Sequence, residues 1–472
     1  MKKTIIILAA ALCALAACQK NEIELLDKPI IEKLDNGQVS YTFTAIIADE
    51  VSDAETKATI ERNGSFTWAE NDELTFYESS GTAATARVTK IDGSTATISV
   101  TTDNPRANFV SAIYPASAAL AKDQISFNKR GPIVVSAVNG GTLNFHHIGS
   151  LVKIKFTSIP AGTASLVFKP VTAFGYDGHF DFSERVPYLK DGGTTTEIVV
   201  PASTEDEGKD ITICVPSVTL TGGFSASLNN AAGGSGRNLF KKTTETSHNL
   251  ETGAPVLLNM KSVEYEAPTK FYVTTESSSH YWDKAGVRMI KTGADSYTVQ
   301  MNCDGGTDVY IYDNYNTDNY SSGYLNKGHV DGGNFYEISW NTSSSTGGPN
   351  YISTTRDYPF WNDKYPVETN GMAISGSFND WGYTTTFTYN GNMSWVKEGL
   401  EISSPGTYTF KIRKAEEKWS FAAGVDSGLG SSHYGTLKGD TDNASVTLEA
   451  GTYNVYLNAT SDWYYNIMFE KQ

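Results

Sequence analysis

Apolar and polar residues alternate along this chain in short runs separated by glycine, asparagine and aspartate. Tyr41-Thr42-Phe43-Thr44-Ala45-Ile46-Ile47 is the first such run, and the pattern returns over 66–77, 109–115 and 143–156. It continues through 211–216, 224–228 and 255–260, then Phe271-Tyr272-Val273 and Val309-Tyr310-Ile311-Tyr312. Near the end it reappears as Gly406-Thr407-Tyr408-Thr409-Phe410-Lys411-Ile412-Arg413 and over 451–458. Period-two alternation predicts strands with one buried face, and the turn-forming clusters between runs predict short connections. No long stretch carries helical apolar spacing, so the expected fold class is all-β, built as tandem β-sandwiches. A length of 472 residues suits three or four such domains.

The first residues read as an address. Lys2 and Lys3 precede an apolar run from Ile5 to Ala17, 13 residues long and too short to span a bilayer as a helix. Leu15-Ala16-Ala17-Cys18 resembles the lipobox of bacterial lipoproteins. The resemblance implies a signal peptide over 1–17, cleavage before Cys18, and lipid on Cys18 that holds the chain on a membrane. An ordinary secretory peptide with a chance cysteine is the other reading. A tether over 18–37 follows, and its polar start at Gln19-Lys20-Asn21-Glu22 loosely resembles an export tag for the outer face of the outer membrane.

Loss of Lys2 and Lys3 takes the formal charge from −16 to −18, and so acidic a body repels phosphate backbones. Nucleic acid is therefore not an expected partner. With Cys13 removed and Cys18 lipidated, Cys214 and Cys303 are expected as free, buried thiols without a disulfide framework.

Lys57, Trp68 with Asp72, Tyr114-Pro115, and Phe145 with His147 stand in the order seen in fimbrillin-like proteins of anaerobic bacteria. That resemblance covers roughly 38–264 and implies two transthyretin-like β-sandwiches, over 38–140 and 141–264. Glu264-Tyr265-Glu266-Ala267-Pro268 reads as a linker. Beyond it, 269–366 faintly echoes the final unit, 367–472, so one or two immunoglobulin-like sandwiches are expected there.

Aromatic residues are concentrated in these last two units. Seven of the eight tryptophans lie between Trp282 and Trp463, and twenty of the twenty-six tyrosines lie beyond residue 270. Gly376-Ser377-Phe378-Asn379-Asp380-Trp381 precedes Lys411, Trp419 and Asn443. This order resembles the starch-binding modules of SusE/SusF-type surface lipoproteins. The resemblance implies stacking of sugar rings on Trp381 and Trp419, with hydrogen bonds from Lys411 and Asn443. The chemistry is suitable: an indole plane packs on C–H faces, while an ammonium and an amide satisfy buried hydroxyls.

Each residue type also has a structural use. A tryptophan can plug the end of a sandwich, and an asparagine can serve a turn. Lys411, alternating with Phe410 and Ile412, is expected to point outward, where it could be a solvated charge only. Trp282 is a further candidate platform, and Tyr310, Tyr312, Tyr315, Tyr320 and Tyr324 form an aromatic cluster split between core and surface.

Catalysis has little support. The seven histidines are scattered without metal-ligand spacing, and no nucleophile elbow, phosphate loop or dinucleotide fingerprint occurs. Asp304, Asp308, Asp313 and Asp318 lack the glycine and terminal glutamate of an EF-hand loop. No cofactor or metal is expected. The resulting expectation is a non-catalytic outer-membrane lipoprotein that binds polysaccharide, with α-glucan favoured, and works beside other glycan-uptake proteins. The alternative is an accessory or tip subunit of a fimbrillin-type pilus acting as an adhesin.

Overall fold

Burial follows the alternation closely. In Val39–Ile47 the buried residues are Val39, Tyr41, Phe43 and Ala45, with the intervening side chains turned outward. The computed structural model describes residues 28–47, 67–182, 186–250, 257–259, 263–275, 286–303, 307–316, 323–330, 334–342, 350–354, 371–390, 394–414, 422–424, 429–439, 442–461 and 464–472. Among them there is no α-helix; strands in several separate sheets make up nearly all the regular structure, as an all-β chain of tandem sandwiches requires. Among the described residues no helix is long and apolar enough to cross a membrane. The expected lipidation site Cys18, and Lys57, lie outside the described residues.

The chain divides into two units. The first comprises Met1–Gly234 and Lys241–Tyr265, and the second Ser235–Phe240 and Glu266–Gln472. In the first unit, eight strands from Ile30–Lys33 to Thr142–His147 form one sheet. Strand Val39–Ile47 pairs antiparallel with Thr95–Thr102 on one side. On the other it pairs with Ile30–Lys33 and, in parallel, with Thr142–His147. The sheet therefore curls back on itself around Phe43, Phe76, Ile98, Val100 and Phe145.

Three of the residues in the fimbrillin-like pattern, Trp68, Tyr114 and Phe145, meet in that core. Trp68 is 6% exposed and lies edge-on to Tyr114 and Phe145, with ring centroids 5.5 and 5.1 Å away. Asp72 Oδ2 accepts a 2.8 Å hydrogen bond from the Ala69 amide. Burial pushes the Tyr114 phenol up to about 12, helped by the negative charge of Asp72 and a hydrogen bond to it.

Further along the first unit, Ser150–Lys155 is flanked by Asp210–Val215 and Leu257–Asn259, while Ser165–Pro170 lies between Ile198–Pro201 and Phe224–Asn229. Cys214 is free and fully enclosed, and burial raises its thiol to about 12, so it behaves as a small core hydrophobe. The side chain of Cys303 lies outside the described residues.

The second unit holds two four-stranded sheets around Phe271, Val273, Val299, Ile311 and Ile338, and then a nine-stranded sheet over the last hundred residues. The latter wraps Ile374, Phe410, Ile412, Tyr453, Tyr465 and Ile467, all fully buried. Asn458, also fully buried, joins these parts through the Gln300 backbone. The Gln300 amide donates to Asn458 Oδ1 at 3.0 Å, and Asn458 Nδ2 donates to the Gln300 carbonyl at 3.1 Å. Asn466 Nδ2 adds a 3.2 Å bond to Thr298 Oγ1. Arg288 lies between the rings of Tyr272 and Tyr456, at 5.4 and 5.6 Å, and donates to Glu470 at 2.7 Å.

Candidate functional site

Strand Met372–Gly376 pairs with Gly406–Lys414, placing Ile374 opposite Ile412 on the core face and Ser375 opposite Lys411 on the other. The chain then turns sharply. A Cβ on Gly376 would meet the Thr409 carbonyl at 2.6 Å, so only glycine fits there. Asn379 organises the turn. Its Oδ1 accepts from the Gly376 amide at 2.8 Å, and its Nδ2 donates to Ile374 O and Thr385 Oγ1, both at 3.0 Å. The Trp381 amide donates to Gly376 O at 2.9 Å, and the Ser375 hydroxyl is shared between the carbonyls of Trp381 and Gly382 at 2.9 and 2.7 Å.

Within this frame Asp380 and Trp381 both adopt left-handed backbone, at φ +51° and +60°. Two successive non-glycine residues in that region, one as bulky as tryptophan, cost about 1–3 kcal/mol each and persist only where the surroundings over-determine them. The hydrogen bonds of Asn379 and Ser375 do so. Trp381, the second of the two left-handed residues, carries a half-buried indole.

Tyr383, two residues further on, is 53% exposed, the most open large hydrophobic side chain of the described second unit. The guanidinium of Arg413 lies 5.3 Å from its ring centroid, and Arg413 itself is only 3% exposed. The phenol ring is thus backed by a buried cation. Tyr383 was not among the residues expected from sequence; an aromatic residue directly after the glycine that closes a turn is the signal that could have found it.

Lys411 departs from expectation. It projects from the face opposite Phe410 and Ile412, as alternation requires, but is 7% exposed instead of solvated. The cause is the turn after Gly376, which folds over this face: Ser375, beside Lys411, binds the Trp381 and Gly382 carbonyls, and Tyr383 covers Arg413. Asn443 is exposed and immediately precedes strand Ala444–Leu448, whose Ala444 pairs with Phe410. The turn of Trp381 and Tyr383 thus lies over the face of strand Gly406–Lys414 that carries Lys411 and Arg413. Trp419 and Trp282 lie outside the described residues.

The acidic residues were also placed. Asp308 and Asp313 sit five apart on strand Thr307–Asp313 and so face opposite ways. Asp308 binds Lys327 and His329, which hold its carboxyl below the usual range. Asp313 is fully buried against Arg237 and Asn316, and desolvation raises its carboxyl despite those partners. These two cannot share a cation; Asp304 and Asp318 lie outside the described residues.

No family model and no curated protein matches this chain. Some solved structures are similar to parts of it. A candidate cell-adhesion protein of Bacteroides thetaiotaomicron VPI-5482 is 12% identical, over 48% of this chain and 98% of that one, with a TM-score of 0.24. A candidate cell-adhesion protein of Bacteroides ovatus ATCC 8483 is 14% identical, over 49% and 92%, with a TM-score of 0.25. SusF from Bacteroides thetaiotaomicron is 13% identical, over 68% and 77%, with a TM-score of 0.18.

Proposed function

We propose that this chain is a non-catalytic surface lipoprotein, anchored through Cys18 to the outer membrane, whose C-terminal sandwich binds polysaccharide. The favoured ligand is an α-glucan: starch, maltooligosaccharide or glycogen. The observation that carries this reading is the turn ending in Trp381 and Tyr383. It presents an open ring and a half-buried one from a backbone pinned by Asn379 and Ser375. Aromatic planes displace water from sugar C–H faces, and a frame already ordered keeps the entropy cost of binding low. In this reading the exposed Asn443 and the Lys411 ammonium supply hydrogen bonds to sugar hydroxyls, and Trp419 is the second stacking residue implied by the sequence pattern.

Affinity for one site should fall between about 1 μM and 1 mM, the range expected of an open site with few buried contacts. The test is retardation in native gels containing starch, followed by calorimetry with maltooligosaccharides on the full mature chain. Trp381→Ala should weaken binding about 30-fold, as removal of an anchoring aromatic typically does, with unchanged melting. Wild-type migration unaffected by starch would remove the α-glucan assignment.

A second reading draws on the first strand. Ile30–Lys33 forms the edge of its sheet with every side chain exposed, Ile30 at 62% and Ile31 at 56%. An apolar edge of this kind can accept another chain, as a pilus-associated adhesin would require. Recovery of the chain in sheared surface fibres would select that reading; its absence from them would reject it.

A further inference from the structure

The preceding sandwich of the second unit repeats the register of the site just described. There Val273 pairs with Ile311 in the core, and beside them Thr274 pairs with Tyr310 on the other face, as Ser375 does with Lys411. On that face Asp308 and Tyr310 stand two apart on one strand, with His329 and Lys327 directly opposite them on Asn326–Val330. Lys327 Nζ contacts Asp308 Oδ2 at 2.5 Å and lies 5.4 Å from the centre of the Tyr310 ring. His329 Nδ1 approaches Asp308 Oδ1 at 2.9 Å. Tyr324 meets Tyr310 edge-on at 5.3 Å, held there by its neighbour Leu325, which packs on the core and donates its amide to Ile311 O.

This group is open to solvent: the side chains of His329 and Lys327 are 59% and 44% exposed, and Tyr324 is 36% exposed. Exposed ion pairs add little to stability, so the fold does not depend on a carboxylate held between two donors beside a tyrosine pair. The arrangement does suit a vicinal diol. One oxygen of Asp308 can accept from a hydroxyl while Lys327 or His329 donates to its neighbour, with the sugar ring against Tyr324.

We propose that Asp308, Tyr324, Lys327 and His329 form a second carbohydrate site, for a neutral glycan. The proposal takes only its ligand class from the reading above; the site shares no residue with the Trp381 turn. The test is calorimetry and glycan-array binding of the full mature chain as wild type, as Trp381→Ala/Tyr383→Ala, and as that pair with Tyr324→Ala or Asp308→Asn. We expect residual glycan binding in the Trp381→Ala/Tyr383→Ala protein, weakened at least 10-fold by Tyr324→Ala and by Asp308→Asn, with melting unchanged. Complete loss of binding in Trp381→Ala/Tyr383→Ala would overturn the second site and leave the first standing. Wild-type binding that survives Trp381→Ala/Tyr383→Ala undiminished, but is lost with Tyr324→Ala, would establish the second site and refute the first. A wild-type chain that binds no glycan on the array would refute both.

Discussion

Trp68→Ala should destabilise the first unit by about 3–5 kcal/mol, the usual cost of removing a buried indole. The side chain is 6% exposed and fills the angle between Tyr114 and Phe145, so its loss leaves a cavity bounded by two rings that backbone pairing holds apart. Domains are stable by only about 5–15 kcal/mol, which makes this a large part of the total. Urea denaturation followed by circular dichroism would show the first transition moved to lower denaturant. Trp68→Phe, which keeps one ring in place, should lose less. An unmoved transition in Trp68→Ala would mean that the residue is not part of the cooperative core.

The second large effect is expected at Glu470. Its carboxylate receives Arg288 at 2.7 Å, Lys270 at 3.3 Å and the Tyr456 hydroxyl at 3.4 Å. Arg288 is 8% exposed at its side chain and lies between two tyrosine rings, so Glu470→Leu leaves a buried guanidinium without its carboxylate. Removing one partner of such a pair costs about 3–5 kcal/mol, whereas replacing both by apolar residues is often neutral. Glu470→Leu should therefore unfold the second unit early, and Arg288→Met added to it should restore most of the loss. The double-mutant cycle would report a coupling well above 1 kcal/mol; additive effects would show that the pair is only superficial.

Strands were the most legible feature of the sequence, because period-two alternation states directly which side chains a sheet buries. Val39, Tyr41, Phe43 and Ala45 are buried as their spacing demands. The pattern of Trp68, Asp72, Tyr114 and Phe145 was legible as an order of residues but not as a cluster. Its members converge only when segments far apart in the chain are brought together by the sheet, and long-range pairing has no local signature. Alternation also assigned Lys411 correctly to a face, yet could not show what covers that face, since the covering turn is a tertiary contact. Tyr383 was hidden for the same reason: its partner Arg413 lies thirty residues away on another strand. The Gln300–Asn458 bonds, linking positions 158 apart, left no trace in either segment alone.

The pinned turn also bears on how long a ligand would stay. A platform that needs no rearrangement can capture at ordinary association rates, about 10⁵–10⁷ M⁻¹ s⁻¹. With micromolar to millimolar affinity, each encounter then lasts from about ten seconds down to well under a millisecond. Under the proposed function, brief holds of this kind would let a polymer slip from one copy to the next without being trapped. On that reading the turn, already set with its two left-handed residues at 380 and 381, would favour traffic along the surface over permanent attachment.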